Sequence, residues 1–253
     1  MKRYTLLLIC LLSLVGLSFA QVDNDALFQQ ANAAYSSGNY DSAVVNYEKI
    51  LAIGMESVPL YYNLGNAYYK KQEFPMAIYY YERALKLDPS NEEVQTNLAI
   101  ANRAIVDKIE PVPQSFFIKG WHQMRSKLSG DQWAWCSVAA FALLLFALFL
   151  FLRSRRIGLR KLGFFSGILF LLVFAISVAN AAQLRRMAMK QNQAILMSPT
   201  VTVKSSPSEA SVDLFVLHEG TKVDILETTG EWNKIKIANG SVGWLQENSM
   251  LVY

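Results

Sequence analysis

Histidine and cysteine are almost missing from this 253-residue chain: His122, His218, Cys10 and Cys136 are the whole inventory. Cys10 lies in an apolar N-terminal segment and Cys136 in an apolar run, so the mature chain can form no intramolecular disulfide, and its soluble parts must be held by packing alone. No thiol outside those runs accompanies either histidine, which excludes a cysteine peptidase. Gly-x-Ser-x-Gly, His-Glu-x-x-His, a P-loop and paired-cysteine metal spacings are absent as well. No catalytic set, metal site or cofactor is therefore expected. A concentrated basic surface is also lacking: Gln21–Glu110 carries 7 basic against 12 acidic residues. That balance excludes a nucleic-acid partner, although the whole chain has net charge +4.

The basic residues are instead concentrated between two runs that lack charge altogether. Trp133–Leu152 and Gly163–Ala182 hold no ionisable side chain apart from the Cys136 thiol, and each is about 20 residues, enough to cross a bilayer. The loop between them, 153–162, carries Arg153, Arg155, Arg156, Arg160 and Lys161 and no acid. Basic residues in short loops stay cytoplasmic, so the pattern predicts a hairpin in the inner (cytoplasmic) membrane with both flanking regions periplasmic. Arg185, Arg186 and Lys190 follow the second run at lower density. The start agrees: Lys2 and Arg3, an apolar Thr5–Leu17 stretch, then Ser18-Phe19-Ala20, the pattern of a signal peptide over 1–20 cut before Gln21. With only Asn180 and a few serines inside, the runs suit an anchor and offer no ion path.

Between these segments the chain repeats itself. Ala31–Leu51 and Gly65–Leu85, offset by 34 residues, share Asn32/Asn66, Ala33/Ala67, Tyr35/Tyr69, Ala43/Ala77, Tyr47/Tyr81, Glu48/Glu82 and Leu51/Leu85. Small residues at Ala31, Gly65, Ala43 and Ala77 allow close helix approach, Gly38 suits a helix end, and Pro75 suits a first turn. Asp88-Pro89-Ser90-Asn91 supplies a turn and N-cap candidates. Tyr61-x-x-Leu64-Gly65-x-x-Tyr68, Ala77-x-x-x-Tyr81 and Pro89 together resemble the tetratricopeptide repeat. The resemblance implies repeats over 24–57 and 58–91, a capping helix over 92–108 and a partner-binding concave face. Carried over position by position, that face comprises Phe28, Asn32, Tyr35, Tyr62, Asn66, Tyr69 and Arg103. Phe28 and Tyr62 stand where carboxylate-binding members have lysine, which favours an extended or apolar segment over a peptide C-terminus. Packing inside the solenoid is the alternative role for Phe28 and Tyr35.

Residues 111–132 read as a juxtamembrane linker. Phe117, Trp121, Met124 and Leu128 fall on one helical face and His122, Gln123, Arg125 and Lys127 elsewhere, the pattern of a helix lying on a membrane or of a short packed connector. Trp133 and Trp135 stand where an interfacial aromatic belt is expected.

After a linker over 183–193, the period changes to that of strands. Val201, Val203, Val212, Leu214, Val216, Val223, Ile225, Ile235 and Ile237 alternate with polar neighbours. Turn signals fall at Glu219-Gly220-Thr221, Thr229-Gly230-Glu231, Asn239-Gly240 and Val242-Gly243. The order Glu219-Gly220, Asp224-Ile225-Leu226, Glu231-Trp232, Ile235-Lys236-Ile237 and Gly243-Trp244-Leu245 resembles the bacterial SH3 domain across 194–253. The resemblance implies a small barrel in which Trp232 and Trp244 either close the core or line a peptide or cell-wall groove.

The expected fold class is thus a multidomain membrane protein: an all-α tetratricopeptide solenoid over 21–110, a two-helix transmembrane hairpin and a small all-β SH3-like barrel. This order resembles the BatE-like proteins of Bacteroidetes aerotolerance (Bat) operons. It implies a non-enzymatic scaffold that binds protein partners such as other Bat proteins, acts alongside a MoxR-type ATPase and also contacts membrane lipid. Peptidoglycan binding through the barrel is the alternative.

Overall fold

The computed structural model describes residues 25–113, 115–125, 127–189 and 192–253. The expected signal segment and Lys190 lie outside them. Five helices open the described chain: α1 (25–36), α2 (Tyr40–Ala52), α3 (Val58–Lys70), α4 (Phe74–Leu87) and α5 (Glu92–Ala101). Each boundary has a local cause. Asn39, Ser57 and Asn91 accept from Ser42, Leu60 and Val94 backbone N–H groups at 3.1, 3.3 and 3.0 Å, satisfying first-turn donors. Gly38 ends α1 at φ +81°, a conformation that a Cβ disfavours, and Pro75 sits in the first turn of α4.

The helices pack through small residues facing rings. Ala31, Ala43, Gly65, Ala67, Ala77 and Ala84 are buried among Tyr47, Tyr61, Tyr68 and Tyr81. The capping helix is shorter than the periodicity predicts. It stops at Ala101, the chain turns through 102–106, and Asp107 leaves the helix altogether. A tertiary contact takes Asp107, as described below.

Helix α6 (Phe116–Arg125) occupies the linker. Trp121 and Met124 are exposed on it, but Arg125, expected on the polar face, is buried, with its carbonyl accepting from Trp133 Nε1 at 3.1 Å. Trp133 is thereby half-buried, whereas Trp135 is 74% exposed. A capping box between Ser129 and Gln132 starts α7 (Gly130–Arg153), and α8 (Ile157–Met189) returns beside it. Both helices are long and apolar enough to cross a membrane. They meet at Gly163, where an added Cβ would lie 2.7 Å from the Phe151 nitrogen and 2.8 Å from the Ala147 oxygen, so no side chain fits. The expected ten-residue loop shrinks to 154–156, because Arg160 and Lys161 join α8 and Arg160 lies 5.2 Å over the Phe151 ring. The linker expected over 183–193 is likewise mostly helix. At about 50 Å, α8 is longer than a bilayer's apolar core.

Seven antiparallel strands follow: β1 (Gln193–Leu196), β2 (Thr200–Lys204), β3 (Asp213–His218), β4 (Lys222–Thr229), β5 (Trp232–Lys236), β6 (Val242–Gln246) and β7 (Met250–Val252). Their order in the sheet is β3-β2-β6-β5-β4-β1-β7. Val203, Leu217, Val223, Ile235, Ile237 and Leu245 form the core on one side. Two sequence expectations change here. Val242-Gly243 is strand, not turn; Gly243 is buried against Val203, where no side chain would fit. In β3, Leu217 faces the core, whereas Leu214 and Val216 are each 48% exposed, and Val212, just before the strand, is 70% exposed.

The sheet and the repeats are one packed body. Ile195 and Tyr253 belong to the same buried cluster as the repeat helices, and Tyr253 meets Tyr79 of α4 edge-on at 5.8 Å. Lys222 donates to Glu82 at 2.6 Å. The Asp107 carboxylate accepts from the His218 backbone N–H at 2.7 Å and the Thr221 hydroxyl at 2.7 Å, and lies 2.8 Å from His218 Nδ1. Gly220, at φ +83°, seats its bare Cα against Ile105. The chain leaves this body at Val112, runs through the hairpin, and returns to it at Gln193.

Candidate functional site

The repeat period builds a polar ladder as well as a core. Asn32 Oδ1 accepts from the Tyr47 hydroxyl at 2.6 Å and from Asn63 Nδ2 at 3.1 Å. Thirty-four residues later Asn66 Oδ1 accepts from the Tyr81 hydroxyl at 2.7 Å and from Asn97 Nδ2 at 2.8 Å. Each node thus ties both helices of one repeat to the first helix of the next. Burial pushes the Tyr47 phenol up to about 12 and Tyr81 higher still, so both stay protonated and keep donating at neutral pH.

Below the second node lies a cleft of about 290 Å³. Tyr35, Tyr62, Asn66 and Tyr69 line it, joined by Lys70, Tyr81, Asn97 and Ile100. Asn97 Nδ2 also donates to the Tyr62 hydroxyl at 3.1 Å, and Tyr69 meets Phe74 edge-on at 5.6 Å, so the rings are held in place. Burial and the neighbouring Tyr40 and Tyr62 hydroxyls keep the Tyr35 phenol protonated well past neutrality. The wall therefore offers phenol and amide hydrogen bonds around aromatic faces, with one lysine at the margin. That chemistry suits an extended polypeptide, whose backbone supplies both donors and acceptors.

Four of the seven concave-face residues predicted from the repeat come together here, and three do not. Phe28 packs on Tyr47 with ring centroids 5.8 Å apart, the packing role weighed for it. Asn32 belongs to the first node. Arg103 stands in the turn after α5, its carbonyl accepting from Lys108 at 2.9 Å. Asn63 and Asn97 also stand 34 residues apart, but they lie outside both segments that carry the repeat's identities. Because Asn66 satisfies two donors, Asn66→Ala should cost about 2–3 kcal/mol of stability by stranding the buried Tyr81 hydroxyl. Denaturant unfolding of the purified chain checks this, and an unchanged midpoint would contradict the node.

On the sheet, Trp232 and Trp244 face away from the core and are half-buried. Lys234 lies across from Trp244 in register, with its ammonium 5.8 Å from the indole. Trp232, Thr200, Thr202, Lys204 and Gln246 line a second cleft of about 330 Å³. Among the described residues no group of three or more His, Cys, Asp or Glu could hold a metal ion.

Comparison with known proteins concerns the helical part. Residues 58–91 match the family model described as "Tetratricopeptide repeat", and residues 31–72 match that described as "TPR repeat". The chain is 35% identical over 65 residues to "Tetratricopeptide repeat protein 6" of Homo sapiens, covering 26% of this chain and 12% of that protein. It is 32% identical over 81 residues to "Tetratricopeptide repeat protein 12" of Homo sapiens, 32% of this chain and again 12% of that one. The chain thus spans a small part of the length of these curated relatives. With the 34-residue node geometry, these matches establish that residues 31–91 of this chain are tetratricopeptide repeats.

Proposed function

We propose that this chain is a non-enzymatic adaptor of the inner membrane, holding a protein partner as an extended segment in the cleft of Tyr35, Tyr62, Asn66 and Tyr69. The observation that carries this is the cleft itself: fixed aromatic walls with amide and phenol groups, built by a repeat whose class serves protein–protein interaction. The hairpin anchors the body, and both soluble parts work on the periplasmic side. Two features support that placement: the arginines and lysines clustered at the hairpin turn, and the contact of Asp107 with His218, which segments on opposite sides of a bilayer could not make. The seven-stranded sheet is an SH3-like barrel in this proposal, and the order of the parts supports a BatE-like role within a Bat/MoxR-type complex linked to aerotolerance.

The test is crosslinking and co-purification of the full chain from its native membrane. Tyr62→Ala/Tyr69→Ala should lower recovery of the specific partner about tenfold, as truncating aromatic anchors does. Equal recovery removes the cleft from the proposal. For orientation, cysteines placed at Val106 and Leu226, both exposed, should label together with a membrane-impermeant maleimide applied from the periplasm.

One observation favours a second function, peptidoglycan tethering: an aromatic-walled cleft at Trp232 with hydroxyl and amide neighbours, a surface suited to sugar faces. Purified sacculi should then sediment the full chain but not Trp232→Ala.

A further inference from the structure

Another cleft lies where the repeats meet the hairpin. It has a volume of about 530 Å³ and sits where α7 begins, α8 ends and the last turn of α4 touches them. Its two halves differ in chemistry. One wall carries Lys86 of α4, Arg185 of α8 and Ser129, with Asp131 as the single acid. The other, toward the span, is Ala134, Val178, Ala181, Ala182 and Leu184. The hairpin ends lie close together there, since an added Cβ on Gly130 would lie 3.8 Å from Leu184 Cβ. Trp135, the exposed interfacial aromatic, is one residue beyond Ala134.

We propose that this cleft seats one anionic phospholipid, its phosphate between Lys86 and Arg185 and the start of its acyl chains along Val178, Ala181 and Leu184. This rests on the membrane placement proposed above. Two features select an anion with a tail. The polar wall has two cations against one carboxylate. Finally, the apolar wall continues into the hairpin surface, which a free phosphate would leave uncovered and an acyl chain would cover.

A lipid here would cement the packed body to its anchor. Lys86 belongs to the repeats and Arg185 to the returning helix, so one headgroup bridges parts that are otherwise joined by little contact. The orientation of the soluble body over the bilayer would then depend on the anionic lipid content.

The experiment uses the full chain, delipidated in mild detergent and returned to bilayer discs of phosphatidylcholine with phosphatidylglycerol; lipid retained on re-extraction is counted by native mass spectrometry. Wild type should retain one phosphatidylglycerol in preference to phosphatidylcholine. Lys86→Gln and Arg185→Gln should each lower that preference about fivefold, the effect of one cation near an anionic lipid. Arg155→Gln/Arg156→Gln, in the hairpin turn, should leave it unchanged. Ala181→Phe, which fills the apolar wall and keeps both cations, should also lose the lipid, so the result does not depend on whether Lys86 is needed for folding. Equal retention of the two lipids, or retention unaffected by all three cleft variants, overturns the proposal. So does full displacement by inorganic phosphate, which would make this a phosphate site without a lipid. A chain that fails to enter the discs at all sinks the membrane placement instead, and the two failures are told apart by flotation.

Discussion

Gly65→Val should destabilise the chain by about 3 kcal/mol or more, lowering its melting temperature by roughly 10 °C. An added Cβ at Gly65 would stand 2.5 Å from both Cδ1 and Cε1 of Tyr81, a ring that is 1% exposed. That ring cannot swing aside cheaply, because its hydroxyl is fixed on Asn66 and Tyr62 lies 6.3 Å away. The valine must therefore push α3 off α4, and the node beside it opens in the same movement. Circular dichroism melts of the detergent-solubilised chain measure the effect. Gly65→Ala/Tyr81→Leu should recover part of the loss relative to Gly65→Ala, since the smaller side chain vacates the ring's volume. A Gly65→Val protein melting within a degree or so of wild type would show that the ring is not seated there.

Asp107→Ala should loosen the junction between the sheet and the repeats, at a cost of about 3 kcal/mol. The carboxylate is 14% exposed and takes hydrogen bonds from the His218 backbone N–H and the Thr221 hydroxyl; removing it strands both donors. Hydrogen exchange should rise at the turn after β3 and around Tyr253 while the α3–α4 core stays protected. The pH dependence has a definite sign. Burial alone would raise the Asp107 carboxyl, but hydrogen bonds from Thr221 and His218 and the attraction of His218 outweigh it and hold the group below its ordinary 3.8. A carboxyl depressed in the folded state contributes stability that is whole above its unfolded value and is lost as pH falls through the folded one. The junction should therefore loosen only below about pH 4, and Asp107→Ala should remove that acid-sensitive component. Acid loosening that is identical in the variant would assign it to another carboxylate.

The helical part was legible in the chain because its signals are local and repeated. Proline and glycine at helix ends, asparagine caps and a 34-residue offset each act within a turn or one helix pair. The cleft was legible by half. Tyr35, Tyr62, Asn66 and Tyr69 follow from the repeat, but the asparagines' engagement in the nodes does not, since sequence spacing shows that two residues are equivalent and not which atoms they satisfy. The β3 run Leu214-Phe215-Val216-Leu217 is apolar throughout. Period-2 alternation has no phase to read there, and only pairing with β2 sends Leu217 inward and Val216 out.

Composition and local pattern alone settled the inventory of this chain: repeating helices, two helices built on charge-free apolar runs with a basic turn between them, and short strands without disulfides. These depend on residues within one element of each other, where propensity, capping and periodicity operate. Tertiary structure alone decided that repeats and sheet are one body, that α5 stops at Ala101 so that Asp107 can reach residues more than a hundred positions away, and that the hairpin leaves a cleft beside Lys86 and Arg185. Contacts at such separation carry no sequence period; they arise only when the packed faces of finished elements meet.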